Sequence, residues 1–79
     1  MRVLHRFTKP DNHWAEIRER KVTQFRAIEF LVFVDGSLLE SQMFHNGREV
    51  EYPAAMRVRI QQFVENGWTE SAVSGQSHC

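Results

Sequence analysis

The stretch AIEFLVFVDGSLLESQMF, from Ala27 to Phe44, decides the fold. Its first eight residues, 27–34, are rich in the β-branched and aromatic side chains that favour strands. Asp35-Gly36 is a preferred pair for a two-residue type I′ turn, and residues 37–44 follow as the return strand. The sequence therefore predicts a β-hairpin with strands at 27–34 and 37–44.

A two-residue turn also predicts the register of this hairpin, with Val34 opposite Ser37, Val32 opposite Leu39 and Ile28 opposite Met43. One face of the hairpin then forms a core face, made of Ile28, Phe30, Val32, Val34, Leu39 and Met43. The opposite face carries the apolar side chains Leu31, Phe33, Leu38 and Phe44, together with Ala27, Glu29, Glu40 and Gln42. This second face is too apolar to remain fully exposed to water without a cost in free energy.

A helix is predicted at residues 53–66. Pro53 suits the first helical position, and Asn66-Gly67 is a typical stop signal. The apolar side chains Met56, Ile60, Phe63 and Val64 recur at helical spacing. We expect Trp68, directly after the stop, to fold back onto this stripe.

The N-terminal third predicts a short strand around residues 3–7 and then a helix over residues 11–26. Trp14, Ile17, Val22 and Phe25 fall within one arc of a helical wheel, whereas residues 16–21 give no useful alternation for a strand. Residues 22–25 fit an extension of the following strand as an alternative.

The resulting order is strand, helix, strand, strand, helix, with residues 68–73 as a possible further short strand. This order predicts an α+β fold, a single sheet with two helices on one face in a ferredoxin-like βαββα(β) arrangement. The alternative is a three-stranded open α+β sandwich. Residues 1–73 are expected to form one globular domain and residues 74–79 a flexible tail.

Composition sets limits on the function. The 79 residues have a formal net charge of zero, but residues 1–26 carry +4 and residues 27–79 carry −4. The longest apolar run, at 30–34, is far shorter than the roughly 20 residues of a membrane helix, and the N-terminus lacks the apolar core of a signal peptide. Cys79 is the single cysteine, which fits a reducing compartment. We therefore expect a cytoplasmic protein without membrane contact.

Motifs of catalysis are missing from the sequence. It has no glycine-rich phosphate loop, no paired-cysteine metal motif, no His-Glu-x-x-His pattern and no nucleophile elbow. His78 and Cys79 are two possible metal ligands at the chain end, too few for a site. We expect no catalytic residues, no metal and no cofactor, and a non-enzymatic role.

The leading hypothesis for function is a small protein-interaction or regulatory module. The apolar side chains Leu31, Phe33, Leu38 and Phe44 are the predicted interface, and a homodimer formed through the open sheet face would bury them. Coverage of this face by the C-terminal segment of the same chain is the competing interpretation.

Two alternatives remain open. The chain could be a nucleic-acid-binding regulator that contacts phosphates through Arg18, Arg20, Lys21 and Arg26, although Glu16 and Glu19 lie on the same segment. It could also be a small ligand-binding or enzymatic domain with a site at a dimer cleft, bordered by His13 or His45.

Overall fold

The fold is a five-stranded antiparallel sheet with one helix packed on one face. The computed structural model describes residues 1–45 and 47–71. The elements in chain order are β1 (Arg2–Lys9), β2 (His13–Val22), β3 (Ala27–Val34), β4 (Ser37–Phe44), α1 (Tyr52–Glu65) and β5 (Thr69–Ser71). Short 3₁₀ helices, Thr23–Phe25 and Glu49–Glu51, precede β3 and α1. The strand order across the sheet is β4-β3-β2-β1-β5.

The α+β class is confirmed, but the prediction of a helix over residues 11–26 is wrong. This segment contains β2, which pairs with β1 on one side and β3 on the other. The ferredoxin-like arrangement with two helices and the three-stranded alternative therefore do not describe this sheet. Because both neighbours of β2 are long strands, their hydrogen bonds override the helical preference of its Glu, Arg and Lys side chains.

The predicted hairpin is confirmed with the bounds expected from sequence. Asp35 and Gly36 have φ angles of 51° and 88°, the left-handed conformation that a type I′ turn requires at both positions. Val34 lies opposite Ser37 as predicted, but a register shift follows between Val32 and Phe33. Val32 therefore lies opposite Glu40, and Ile28 opposite Phe44. The predicted pairings of Val32 with Leu39 and of Ile28 with Met43 are wrong, because one extra residue enters β4 at this bulge.

The core lies between α1 and the sheet. Phe7, Ala15, Ile17, Phe30, Val32, Phe44 and Met56 are buried there, with Tyr52, Ile60 and Phe63 packed against them. The bulge changes which residues of β4 are in the core. Phe44 is in the core, whereas the predicted core residues Leu39 and Met43 are not. Phe30 contacts both Phe44 and Tyr52, at ring-centroid distances of 6.0 and 6.1 Å.

The end of α1 follows the sequence prediction closely. Gly67 has φ 91°, its N–H donates to the carbonyl of Val64, and the N–H of Trp68 donates to the carbonyl of Phe63. These two bonds form a Schellman motif, which satisfies carbonyls that the end of a helix leaves free. The Trp68 ring lies edge-on to Phe63 at 5.5 Å, as expected for a residue that folds back on the helix.

The predicted short strand after Trp68 is present as β5, which pairs antiparallel with β1. The rest of that prediction, residues 72–73, and the predicted tail at 74–79 lie outside the described residues.

Phe30→Ala tests the core. The side chain is fully buried, so we expect the substitution to lower the free energy of unfolding by about 3–5 kcal/mol. Urea denaturation followed by circular dichroism measures the loss. Phe25→Ala is the matched control because 55% of Phe25 is exposed, and we expect it to change stability by less than about 0.5 kcal/mol. Equal losses in the two variants would contradict this placement of the core.

Candidate protein-interaction site

The outer edge of β4 is an unpaired sheet edge in the described chain. Among residues 1–45 and 47–71, β4 has a strand partner on one side only, β3. Its eight residues include one charge, Glu40, and no lysine, arginine or proline. Proteins commonly protect sheet edges with such residues or by shortening the strand. At the opposite edge, the described residues of β5 number three.

Two leucines make this edge apolar. Leu38 is 55% exposed and Leu39 is 68% exposed, although both lie within a strand. Leu38 pairs with Phe33 on the face away from α1, and Leu39 is the extra residue at the bulge. Both sides of the β4 edge therefore offer apolar surface to a partner.

A cleft lies beside this edge, between α1 and the β3–β4 hairpin. It encloses about 370 Å³, and its lining includes Val32, Leu39, Phe63 and Trp68. At its wall, Arg59 Nε lies 2.5 Å from Glu40 Oε1, a charge contact without the alignment of a hydrogen bond. The contact ties the single charge of β4 to α1.

The sheet face away from α1 is not the apolar patch that the sequence predicted. Phe44 is on the opposite face and only 3% exposed, so its prediction as an interface residue on the open face is wrong. Leu31 does lie on the open face, but it is only 6% exposed. Of the four predicted interface residues, Leu38 and the partly buried Phe33 remain accessible.

Ion pairs cover much of this open face. Glu16 accepts bonds from two guanidinium groups, from Arg6 at 2.7 and 2.9 Å and from Arg18 at 2.6 and 2.8 Å. The Arg18 guanidinium lies 4.2 Å from the centre of the Phe33 ring. Glu29, which is also buried, accepts a bond of 2.6 Å from Arg20. Long arginine side chains therefore cover apolar surface here, as their methylene stems allow.

The arginine contacts alter the titration of Glu16. Burial raises the pKa of its carboxyl group, but hydrogen bonds and positive charge from Arg18 and Arg6 lower it more, so its pKa lies below the usual 4.5. The carboxylate is thus ionised at neutral pH and neutralises charge on the open face.

The four predicted nucleic-acid contacts are divided between two environments. Arg18 and Arg20 are on the open face, each in an ion pair with a glutamate. Lys21 and Arg26 border a separate pocket of about 320 Å³ near the connection from β2 to β3. The sequence grouped these residues on a helix, whereas the structure brings only two of them together at a concave surface.

The histidines make local contacts. His13 Nδ1 lies 2.9 Å from Asp35 Oδ2, and Asp35 also accepts a bond from the Trp14 backbone N–H, so these contacts link the two turns at one end of the sheet. His5 Nδ1 lies 2.7 Å from Glu70 Oε2 and links β1 to β5. Neither His13 nor His45 lines the cleft beside β4.

In the part of the chain that the structure describes, no group of three or more His, Cys, Asp or Glu side chains is arranged to hold a metal ion. His78 and Cys79 lie outside that part. No described helix is both long enough and apolar enough to cross a membrane.

Sequence reasoning missed three exposed apolar residues. Val64 was counted in the apolar stripe of α1 but is 55% exposed. Leu39 was assigned to the core because a regular hairpin was assumed, and no residue in β4 signals the bulge. Phe25 was assigned to the apolar arc of a helix, but it lies in the 3₁₀ helix after β2 and is 55% exposed. The alternative that residues 22–25 extend the following strand is wrong as well, since Val22 ends β2 and residues 23–25 form the 3₁₀ helix.

Comparisons with known protein families, with curated proteins and with solved structures each gave no match to this chain. Its function therefore has to be argued from its own surfaces.

Glu16→Gln tests the role of the ion pairs on the open face. The variant leaves Arg6 and Arg18 without their carboxylate, and we expect a loss of about 1.5–3 kcal/mol in unfolding free energy at pH 7. Because folding lowers the pKa of Glu16, its contribution is complete above the ordinary pKa of 4.5 and is lost as the pH falls through the lower folded value.

Urea denaturation of both proteins between neutral and acidic pH measures this dependence. The difference in stability between wild type and Glu16→Gln should narrow on acidification below about pH 4.5. Glu65→Gln, at an exposed carboxylate of α1, is the control and should change stability at neutral pH by less than about 0.5 kcal/mol. A gap between wild type and Glu16→Gln that widens in acid would refute this role of Glu16.

Proposed function

We propose that this chain is a small protein-interaction module that self-associates by pairing the β4 edge of one copy with the β4 edge of a second copy. One observation carries the proposal: β4 is an eight-residue edge strand with two exposed leucines and one charge. Such an edge presents unpaired backbone groups and apolar side chains together, which favours strand addition. The proposed homodimer therefore uses the sheet edge instead of the open sheet face. Leu38 belongs both to this edge and to the interface predicted from the sequence.

Charge supports a second copy as the occupant. A two-fold axis brings a strand against its own antiparallel copy, so any unpaired charge on it meets a like charge. Glu40 is the only charge on β4, and it contacts Arg59 of its own α1. Pairing two β4 strands thus brings together mainly uncharged residues, with the carboxylate balanced inside each copy.

The cleft supports the same arrangement. On the side of β4 that faces α1, Leu39 borders the cleft, and no second helix formed by residues 1–45 or 47–71 lies above it. A second copy would add a strand and the side chains above it next to this space, which would cover Leu39. On the other side of the sheet, the second copy would cover Leu38.

The expected strength of association is moderate. Eight residues of strand span roughly 27 Å. Stable protein interfaces usually bury about 1,200–2,000 Å² in total, and a strand edge with two leucines on each copy provides a contact at the lower end of that range. We therefore expect dimers that dissociate on dilution.

The proposal includes a regulatory role in the cytoplasm. The single cysteine favours a reducing compartment such as the cytoplasm.

Leu38→Lys tests the proposal. The substitution places a lysine on the edge strand of both copies, so we expect the dimer to dissociate more readily, by at least about tenfold in the dissociation constant. Sedimentation velocity over a range of protein concentrations measures the fraction of dimer. Val64→Lys, at a residue that is equally exposed at 55% but on α1, is the matched control and should dimerise like the wild type.

Thermal unfolding of both variants distinguishes loss of association from loss of folding. A wild-type protein that remains monomeric at the highest soluble concentration would refute self-association. A dimer that persists in Leu38→Lys but is lost in Val64→Lys would place the interface on α1 instead of β4.

A further inference from the structure

The connection from β2 to β3 combines an exposed aromatic ring with two cations that are available to a ligand. It consists of the 3₁₀ helix Thr23–Phe25 and Arg26. Phe25 is 55% exposed at this connection. Lys21 precedes the connection and Arg26 ends it, and both side chains line the pocket of about 320 Å³.

The two cations differ from the other basic residues around them. The described residues include no carboxylate within 4.0 Å of the charged groups of Lys21 or Arg26. By contrast, Arg18 and Arg20 are bound to Glu16 and Glu29, and Arg2 lies 3.9 Å from Glu19. The positive charge at Lys21 and Arg26 is therefore not already engaged in an ion pair.

The backbone at Arg26 gives a second, independent observation. This residue has φ 48° and ψ 49°, the left-handed conformation, in which non-glycine residues are uncommon. The conformation costs free energy that glycine would not cost, and such strain is enriched at functional sites. Glycine would adopt this backbone conformation at lower cost, but unlike arginine it would supply no cation there.

The pocket has apolar, polar and charged lining residues. Ala27 and Ile28 provide apolar wall, and Thr23 provides a hydroxyl group. Glu49 also lines the pocket, and its Oε2 accepts a bond of 2.6 Å from the backbone N–H of Gly47. The acidic side chain is thus held by its own loop, while Lys21 and Arg26 remain the charged groups without an acidic partner.

From these observations we propose that the β2–β3 connection binds single-stranded nucleic acid, in addition to the self-association proposed above. Phe25 stacks on a base, and Lys21 and Arg26 contact phosphates on either side of it. Base stacking on an aromatic ring with flanking cations is the general chemistry of single-strand binding. An anionic membrane surface is less suitable as a partner, because recognition of acidic lipids usually uses clusters of four to eight basic residues.

The contact predicts a small salt dependence. Neutralising two phosphates of a single strand gives a slope of about −1.4 for log affinity against log salt concentration. Affinity should therefore fall about sevenfold between about 50 and 200 mM salt. Fluorescence anisotropy of a labelled thymidine oligonucleotide, titrated with the full chain at several salt concentrations, measures both the affinity and the slope.

Three variants test the individual roles. Phe25→Ala should weaken binding by about tenfold with little change in the slope, since it removes stacking and no charge. Lys21→Ala and Arg26→Gly should each make the slope shallower by about 0.7. Glycine at position 26 accommodates the left-handed backbone, so this variant removes the cation without adding strain.

Arg57→Ala is the matched control, because it removes an exposed cation from α1 and should leave the slope unchanged. Thermal unfolding shows that each variant is folded, and sedimentation velocity shows whether dimerisation is intact. A wild-type protein that dimerises but does not bind the oligonucleotide would therefore overturn this site without affecting the proposed function, whereas weaker binding by a folded, dimeric variant supports it.

Three results would overturn the site. The first is the absence of any anisotropy change at low salt. The second is binding that Phe25→Ala and Arg26→Gly leave unchanged. The third is Phe25-dependent binding to vesicles containing phosphatidylserine without binding to the oligonucleotide, which would assign the connection to a membrane surface.

Discussion

A single helix has to cover one face of a five-stranded sheet, and the other surfaces of the molecule follow from this constraint. The axes of the outer strands are roughly 19 Å apart, whereas a helix with its side chains is about 10 Å wide. The helix α1 therefore covers only part of the sheet, centred on Phe7, Ile17 and Phe30. Among the described residues, it leaves uncovered the part of β4 around Leu39, where the cleft lies.

The sheet face away from α1 is covered by charged side chains instead of a second layer. Arg6 and Arg18 hold the buried Glu16, and Arg18 also lies on the ring of Phe33. Each charge is balanced by a neighbour on an adjacent strand or on the same strand, so the face tolerates water without presenting a large apolar patch. This explains why an alternating pattern with Glu and Arg on the outside is compatible with a strand at the centre of the sheet.

The sequence predicted the hairpin and α1 well because their signals are local. The Asp35-Gly36 turn and the Gly67 stop each require a specific backbone conformation that few residues adopt. Residues 13–22 were assigned to a helix because their strand pattern depends on distant partners. Glu16 is satisfied by Arg6, and Glu19 accepts a bond from Tyr52 of α1, contacts that no local window contains.

The candidate site was harder to predict than the fold. One bulge in β4 moved Phe44 into the core and left Leu39 outside it, because the side chains of a strand change faces with every residue. Of the predicted patch, Leu38 and Phe33 are accessible, whereas Leu31 and Phe44 are buried. An error of one residue in register has little effect on the fold class but redistributes the surface that a partner would contact.

The positive charge of the N-terminal third is distributed differently in the folded molecule than along the sequence. Residues 1–26 carry a net charge of +4, but Arg2, Arg6, Arg18 and Arg20 are in ion pairs with glutamates. Lys9 lies over the ring of Trp68, at 5.3 Å from its centre. The positive charge without an acidic partner is then concentrated at Lys21 and Arg26, and Arg26 directly follows the exposed Phe25 in the sequence. A positive charge spread over a third of the sequence is thus concentrated at one connection. This connection therefore favours an anionic partner, whereas the β4 edge, with the single charge of Glu40, favours an apolar one.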